Sequence, residues 1–161
     1  MGKVQSVFTN GWAGTPSRSV DNVIISRRNA ASAAIPFGAP VFLKSDGTGV
    51  LPFTSGTTAA EQFVGFTARV PDKTPETYGS DLAAFDAKDP VDILARGSVI
   101  LEIATTTAKA GDSVYIRIAD SKLVTVAGAE GTTIRIPGAV ISTPRDANGT
   151  CEVVLRERNL L

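Results

Sequence analysis

Histidine is missing from this 161-residue chain, and cysteine occurs once. The first absence removes the side chain most used for proton transfer near neutral pH. Together the two leave no ligand set for zinc, which needs about four nitrogen or sulfur donors. A single cysteine also excludes an intrachain disulfide. Aromatic residues make up only 6% of the chain, too few for the stacking groove of a single-strand binder. Excess charge of either sign is lacking as well, because 16 Lys and Arg balance 16 Asp and Glu. Nonspecific nucleic-acid binding draws on a basic excess, so that class is disfavoured. No apolar run approaches the roughly 20 residues that span a bilayer. Met1-Gly2-Lys3-Val4-Gln5 has no apolar signal-peptide core. The expectation is a soluble protein made in a cytoplasm, without a membrane or nucleic-acid partner. Zero net charge suits many copies packed side by side.

What is present is a series of short apolar-alternating runs divided by Gly, Pro, Asp, Asn, Thr and Ser. Pro90–Arg96 sets Val91, Ile93 and Ala95 against Asp92, Leu94 and Arg96. Gly97 is expected to break this strand before a second begins at Ser98. Ser98–Thr105 and Asp112–Ile118 alternate in the same way, a period of two that puts one face on a core. The other face carries Leu94, Ile100 and Tyr115 among charges, so cover by another subunit is expected there. Val20–Arg27, Gln62–Arg69, Lys122–Val126, Thr133–Ile136, Ala139–Thr143 and Cys151–Glu157 read as further strands. Val41–Lys44 and Val50–Phe53 flank Asp46-Gly47, a strong hairpin signal. Gly65 marks a bulge or a tight backbone approach. Phe63 and Phe66 differ by three, so in a regular strand they face opposite ways. Ile35–Pro40 holds two prolines and is expected to be irregular. Pro71–Asp89 is the longest insertion, and Ser80–Phe85 within it could form one capped helical turn. Asp146–Gly149 is a turn. These elements predict one all-β body of about nine or ten short strands, a β-barrel or jelly-roll-like sandwich. It spans residues 20–161. Residues 1–19 read as an extended arm that docks on a neighbour or is disordered.

A catalytic set is not found. Asp92 and Glu102 are a conceivable carboxylate pair, but nothing in the sequence puts them in one cleft. Cys151 alternates with Val153 and Leu155, as a small buried residue would. No calcium loop or phosphate loop is present. The expectation is a protein that is not an enzyme and takes no cofactor or metal. The candidate contact residues are Phe8 and Trp12 in the arm and the basic pair Arg27 and Arg28. Trp is enriched at interface hot spots, and Trp12 is the only one in the chain.

Five stretches resemble bacteriophage capsid cement, or head decoration, proteins: Ile35–Val41, Phe63–Ala68, Val91–Val99, Ala108–Tyr115 and Pro137–Val140. Each alone is mostly Gly turns and β-prone residues; their order and spacing carry the resemblance. It implies a small β-barrel or jelly-roll-like body on the exterior of a virion capsid, at junctions between major capsid protein subunits. It also implies a homo-oligomer, with a trimer favoured over a dimer, and no catalytic residues. The competing expectation is a phage tail, baseplate or carbohydrate-binding β-module without catalysis.

Overall fold

A computed structural model describes residues 9–54, 62–69 and 84–156. Its strands are β1 (Pro16–Arg28), β2 (Ile35–Pro36), β3 (Pro40–Leu43), β4 (Val50–Pro52), β5 (Phe63–Thr67) and β6 (Ala84–Phe85). They continue with β7 (Pro90–Glu102), β8 (Ser113–Arg117), β9 (Leu123–Val124), β10 (Thr133–Ile141) and β11 (Thr150–Leu155). No α-helix occurs among the described residues. Eight strands run in the order β4-β3-β5-β7-β11-β10-β8-β9, β1 joins the same sheet through β7, and β2 with β6 forms a separate two-stranded sheet. The curled sheet closes over its own apolar face as a half-barrel, which is the all-β, barrel-like sandwich expected.

β7 organises the molecule because it has three partners. β1 follows it from Pro16↔Val99 to Arg28↔Pro90. On the other edge β5 takes Ile93 and Leu94, and β11 takes Gly97 to Glu102. Gly97 therefore does not end the strand. Its φ of +120°, open to glycine without steric cost, lets the backbone kink and continue. Opposite it, β1 uses five residue steps (Arg18 to Val23) where β7 uses two (Ser98 to Arg96), a bulge of three extra residues. The Ser98 amide donates to Asn22 Oδ1 at 3.0 Å, so a side chain fills the gap in the ladder.

β7 also divides two cores. Leu94, Val99 and Leu101 enter the larger one, with Phe42, Phe63, Phe66, Ile116, Ile141 and Val153. Val91 and Ile93 enter the smaller one, with Ile35, Phe37, Val41 and Phe85. Leu94 and Ile100 are thus buried within this chain and need no other subunit to cover them, whereas Tyr115 is half-buried. Burying both faces removes the usual alternation.

Phe63 and Phe66 also depart from expectation. Both lie in the larger core, with ring centres 5.2 Å apart. The register against β3 shifts between Gly65 and Phe63, and this bulge returns both rings to one side. A Cβ on Gly65 would lie 2.2 Å from the Leu94 carbonyl oxygen, so the tight approach is real as well.

The hairpin β3–β4 forms as the Asp46-Gly47 signal predicts, with Phe42↔Leu51 at its centre. Asp46 Oδ1 accepts from the Thr48 amide and hydroxyl, and Gly47 takes a φ of +71°. Ile35–Pro40 is more regular than its prolines suggest. Ile35 pairs with Phe85, Pro36 with Ala84, and Pro40 opens β3. Proline at a strand start or in a two-residue edge pair removes no needed donor. Of the helical turn expected at Ser80–Phe85, residues 80–83 lie outside the described residues, and Ala84–Phe85 is strand. The two strands expected within 133–143 are one, β10, irregular near Pro137 and Gly138, where its register to β8 shifts.

Candidate functional site

The N-terminal segment is fastened to its own body. The Asn10 amide donates to Asp146 Oδ2 at 2.7 Å, and Asn10 Nδ2 donates to the carbonyls of Pro144 and Thr150. The Gly14 amide donates to the Ile100 carbonyl, the Ile100 amide to that of Thr15, and the Arg69 amide to that of Gly14. Gly14 packs so closely that a Cβ there would lie 2.8 Å from the Gly38 nitrogen. β1 then runs across position 19/20 through its bulge, and residues 9–18 cover Ile100.

Two carboxylates anchor this segment. Burial alone would raise the Glu152 carboxyl, but hydrogen bonds from Ser17 and Arg18 outweigh it and hold the group below its ordinary value. The same balance holds at Asp146, where burial opposes donors from Thr150, Asn10 and Asn148, and the net shift is again downward.

On this rigid backbone Trp12 projects outward, 61% exposed. Its ring lies 5.8 Å from the Arg69 guanidinium carbon, and the Phe37 ring lies 5.2 Å from that carbon on another side. Such cation–ring contacts hold the guanidinium in place. Arg69 Nε is buried with no hydrogen-bond partner. A cleft of about 480 Å³ opens beside these groups, lined also by Glu102 and Asn148.

The other candidate residues lie elsewhere. Arg27 is half-buried and Arg28 exposed at the far end of β1. Arg28 shares a shallow cleft with Lys44 and Lys88. Nine residues of β7 separate this end (Pro90) from the Trp12 end (Val99), about 30 Å at strand rise. The structure therefore does not bring Trp12 together with Arg27 and Arg28. Phe8 lies outside the described residues. Arg69 had no sequence signal, since its two rings, Phe37 and Trp12, are 32 and 57 positions away.

The remaining reactive groups are dispersed. Asp92 and Glu102 lie on one strand, ten residues and about 33 Å apart, far beyond the spacing of a carboxylate pair. Cys151 is fully buried on β11, and burial pushes its thiol up to about 11. Among the described residues no group of three or more His, Cys, Asp or Glu could hold a metal ion. No helix among them is long and apolar enough to cross a membrane.

The described residues form an all-β body with an exposed aromatic, Trp12, at one end and a cleft lined by Arg28, Lys44 and Lys88 at the other. The family is explicit: the sequence model of the structural cement proteins (E217 gp24/Pam3 gp6) matches residues 3–156, and the chain belongs to that family of phage structural proteins. The chain is similar in fold to a chain from the capsid of Myoviridae phage XM1. That match has a TM-score of 0.73 at 14% identity and covers 97% of this chain and 96% of the other. The head fibre gp8.5 N base of bacteriophage phi29 matches at a TM-score of 0.44 and 11% identity, over 86% of this chain and 99% of that one. No curated protein sequence matches the chain.

Proposed function

We propose that this protein binds the outer surface of a phage capsid and stabilises contacts between major capsid protein subunits, acting as a homo-oligomer without catalysis. A trimer is the favoured assembly, ahead of a dimer. It is made in the host cytoplasm and added to the exterior of the virion. The observation that carries this reading is Trp12, left 61% exposed on a backbone tied down by Asn10, Gly14 and Thr15. A large apolar side chain on a fixed support loses little entropy on docking. The basic cleft at Arg28 supplies a second contact about 30 Å away along β1. Two separated contacts let one copy touch two shell subunits, and weak contacts repeated over a lattice act together.

The test is co-sedimentation of purified protein with cement-free, expanded capsids of its own phage. Saturable binding at a fixed ratio to the major capsid protein is expected. Trp12→Ala should weaken binding by tenfold or more, about 1.4 kcal/mol, while the thermal midpoint of the free protein stays in place. Arg27→Glu with Arg28→Glu should weaken it more steeply at low salt than at high. Absence of binding at micromolar protein, or glycan binding without any capsid, would turn the reading toward a tail or carbohydrate-binding module.

A further inference from the structure

Asparagine followed by glycine occurs twice in the chain, at Asn10-Gly11 and Asn148-Gly149. In such a pair the backbone nitrogen reaches the preceding side chain most easily, because glycine has no Cβ to bar the approach. The fold treats the two pairs differently. The Asn10 carboxamide is clamped: Nδ2 donates to the carbonyls of Pro144 and Thr150, and Oδ1 accepts from the Thr143 hydroxyl. The Asn148 carboxamide is exposed and makes no hydrogen bond among the described residues. Only the Asn148 backbone amide is engaged, donating to Asp146 Oδ1 at 3.0 Å. The glycine beside it is required by the turn. Gly149 has a φ of +84°, and a Cβ there would stand 2.8 Å from Arg145 Nη2. The reactive partner of Asn148 is thus built into the entry to β11. The Gly149 amide donates to the Asp146 carbonyl at 3.1 Å, but that bond lies in the peptide plane and leaves the faces of the nitrogen open. Arg145 and Asp146 flank the turn with opposite charges; the guanidinium favours loss of the amide proton and the carboxylate opposes it.

We infer that Asn148 is a site of spontaneous deamidation, and that the clamp on Asn10 protects the other pair from the same reaction. The Gly149 nitrogen loses its proton to hydroxide and bonds to Asn148 Cγ. The bond from Cγ to the carboxamide nitrogen breaks, and that nitrogen leaves as ammonia with a proton from water. Water then opens the five-membered imide. Attack at Cγ leaves aspartate. Attack at the Asn148 backbone carbonyl carbon leaves isoaspartate, in which the main chain runs through Cγ and is one methylene longer. Only water is consumed and only ammonia released. The consequence falls on Asp146. Its carboxylate holds the turn through the Asn148 and Thr150 amides, and the N-terminal segment through the Asn10 amide. A lengthened chain and a new carboxylate two residues away both work against that arrangement. Residues 9–18 therefore loosen from Ile100 as the protein ages. The reaction does not depend on what the protein docks to, so it stands apart from the capsid reading.

Incubation of the purified full chain in mildly alkaline buffer, native and in urea, tests it. Peptides are mapped by mass, and isoaspartate is detected by isoaspartyl methyltransferase labelling. In urea both asparagines should convert at similar rates. In the native protein Asn148 should convert within about tenfold of its unfolded rate, because a loop tip opens at little cost. Native Asn10 should convert at least about tenfold more slowly than Asn148, since freeing it breaks three hydrogen bonds. The amides of Gly14 and Ile100 should lose hydrogen-exchange protection in step with isoaspartate at position 148, at a pH where fresh protein keeps it. Asn148→Gln, whose longer side chain would need a six-membered ring, should stay unmodified and keep that protection through the same incubation. Fresh Asn148→Asp, which adds the charge without the methylene, should lose less protection than the aged wild type. Native Asn148 that stays intact while it converts in urea, or native Asn10 that converts as fast, would overturn the site. Isoaspartate with full protection at Gly14 and Ile100, or equal loss in aged Asn148→Gln, would overturn the loosening.

Discussion

At the residue scale, the fold depends on positions where a single methyl group cannot be added. A Cβ on Gly97 would meet Asn22 Oδ1 at 2.0 Å and Asn22 Cα at 2.8 Å, and the φ of +120° adds strain of its own. Gly111 separates the two effects, having a φ of +95° with nothing within 4 Å. Gly111→Ala should cost about 1 kcal/mol, the conformational part alone. Gly97→Ala should cost clearly more, read as a lower urea midpoint with an unchanged slope. Equal losses would mean that Asn22 moves aside freely and does not hold the bulge. Trp12 was legible in the sequence, because a lone tryptophan in a polar stretch has little around it to be buried by. Arg69 was not, since its place depends on Trp12 and Phe37, brought in from distant segments of the chain.

At the scale of elements, local signals were readable and their non-local consequences were not. The β3–β4 hairpin follows from Asp46-Gly47, and β8 and β11 follow from alternation. The bulge at Gly65 was visible too, but not that it returns Phe63 and Phe66 to one core. The pairing of β2 with β6 joins residues 48 and 50 positions apart, and no local pattern marks it. The covering of Ile100 by residues 9–18 also arises only in three dimensions, although the alternation had marked that face as one needing cover. This segment carries a pH dependence. Both anchoring carboxyls, Glu152 and Asp146, sit below their ordinary values of 4.5 and 3.8. A depressed folded-state value means the stabilisation is complete above the ordinary value and is lost as pH falls through the lowered one. The Arg18 side chain is 67% exposed, so its pair with Glu152 is screened and contributes at most about 1 kcal/mol. Below pH 3.8 the amides of Gly14 and Ile100 should therefore lose hydrogen-exchange protection before that of Val153 does. Simultaneous loss would show that the segment is held by packing alone. Glu152→Gln should move the release toward neutral pH.

At the scale of the whole molecule, β1, which runs from just beyond the Trp12 turn to Arg28, is a tether at nearly full extension. Thirteen residues of β1 at strand rise span about 43 Å less what the bulge takes up, so its two ends cannot be drawn far apart by straightening ordinary strand. The largest slack within β1 is the three extra residues opposite Gly97, worth about 10 Å. Pulled between positions 12 and 28 in an optical trap, the protein should resist stiffly, then lengthen in one step of about that size as Asn22 lets go of Ser98. A smooth, compliant extension would rule this out. On a shell under internal pressure, a bridge of this kind is stiff at small loads and yields a fixed length before its ladder is broken. It would limit how far two gripped neighbours can separate, and it would reset when the load falls.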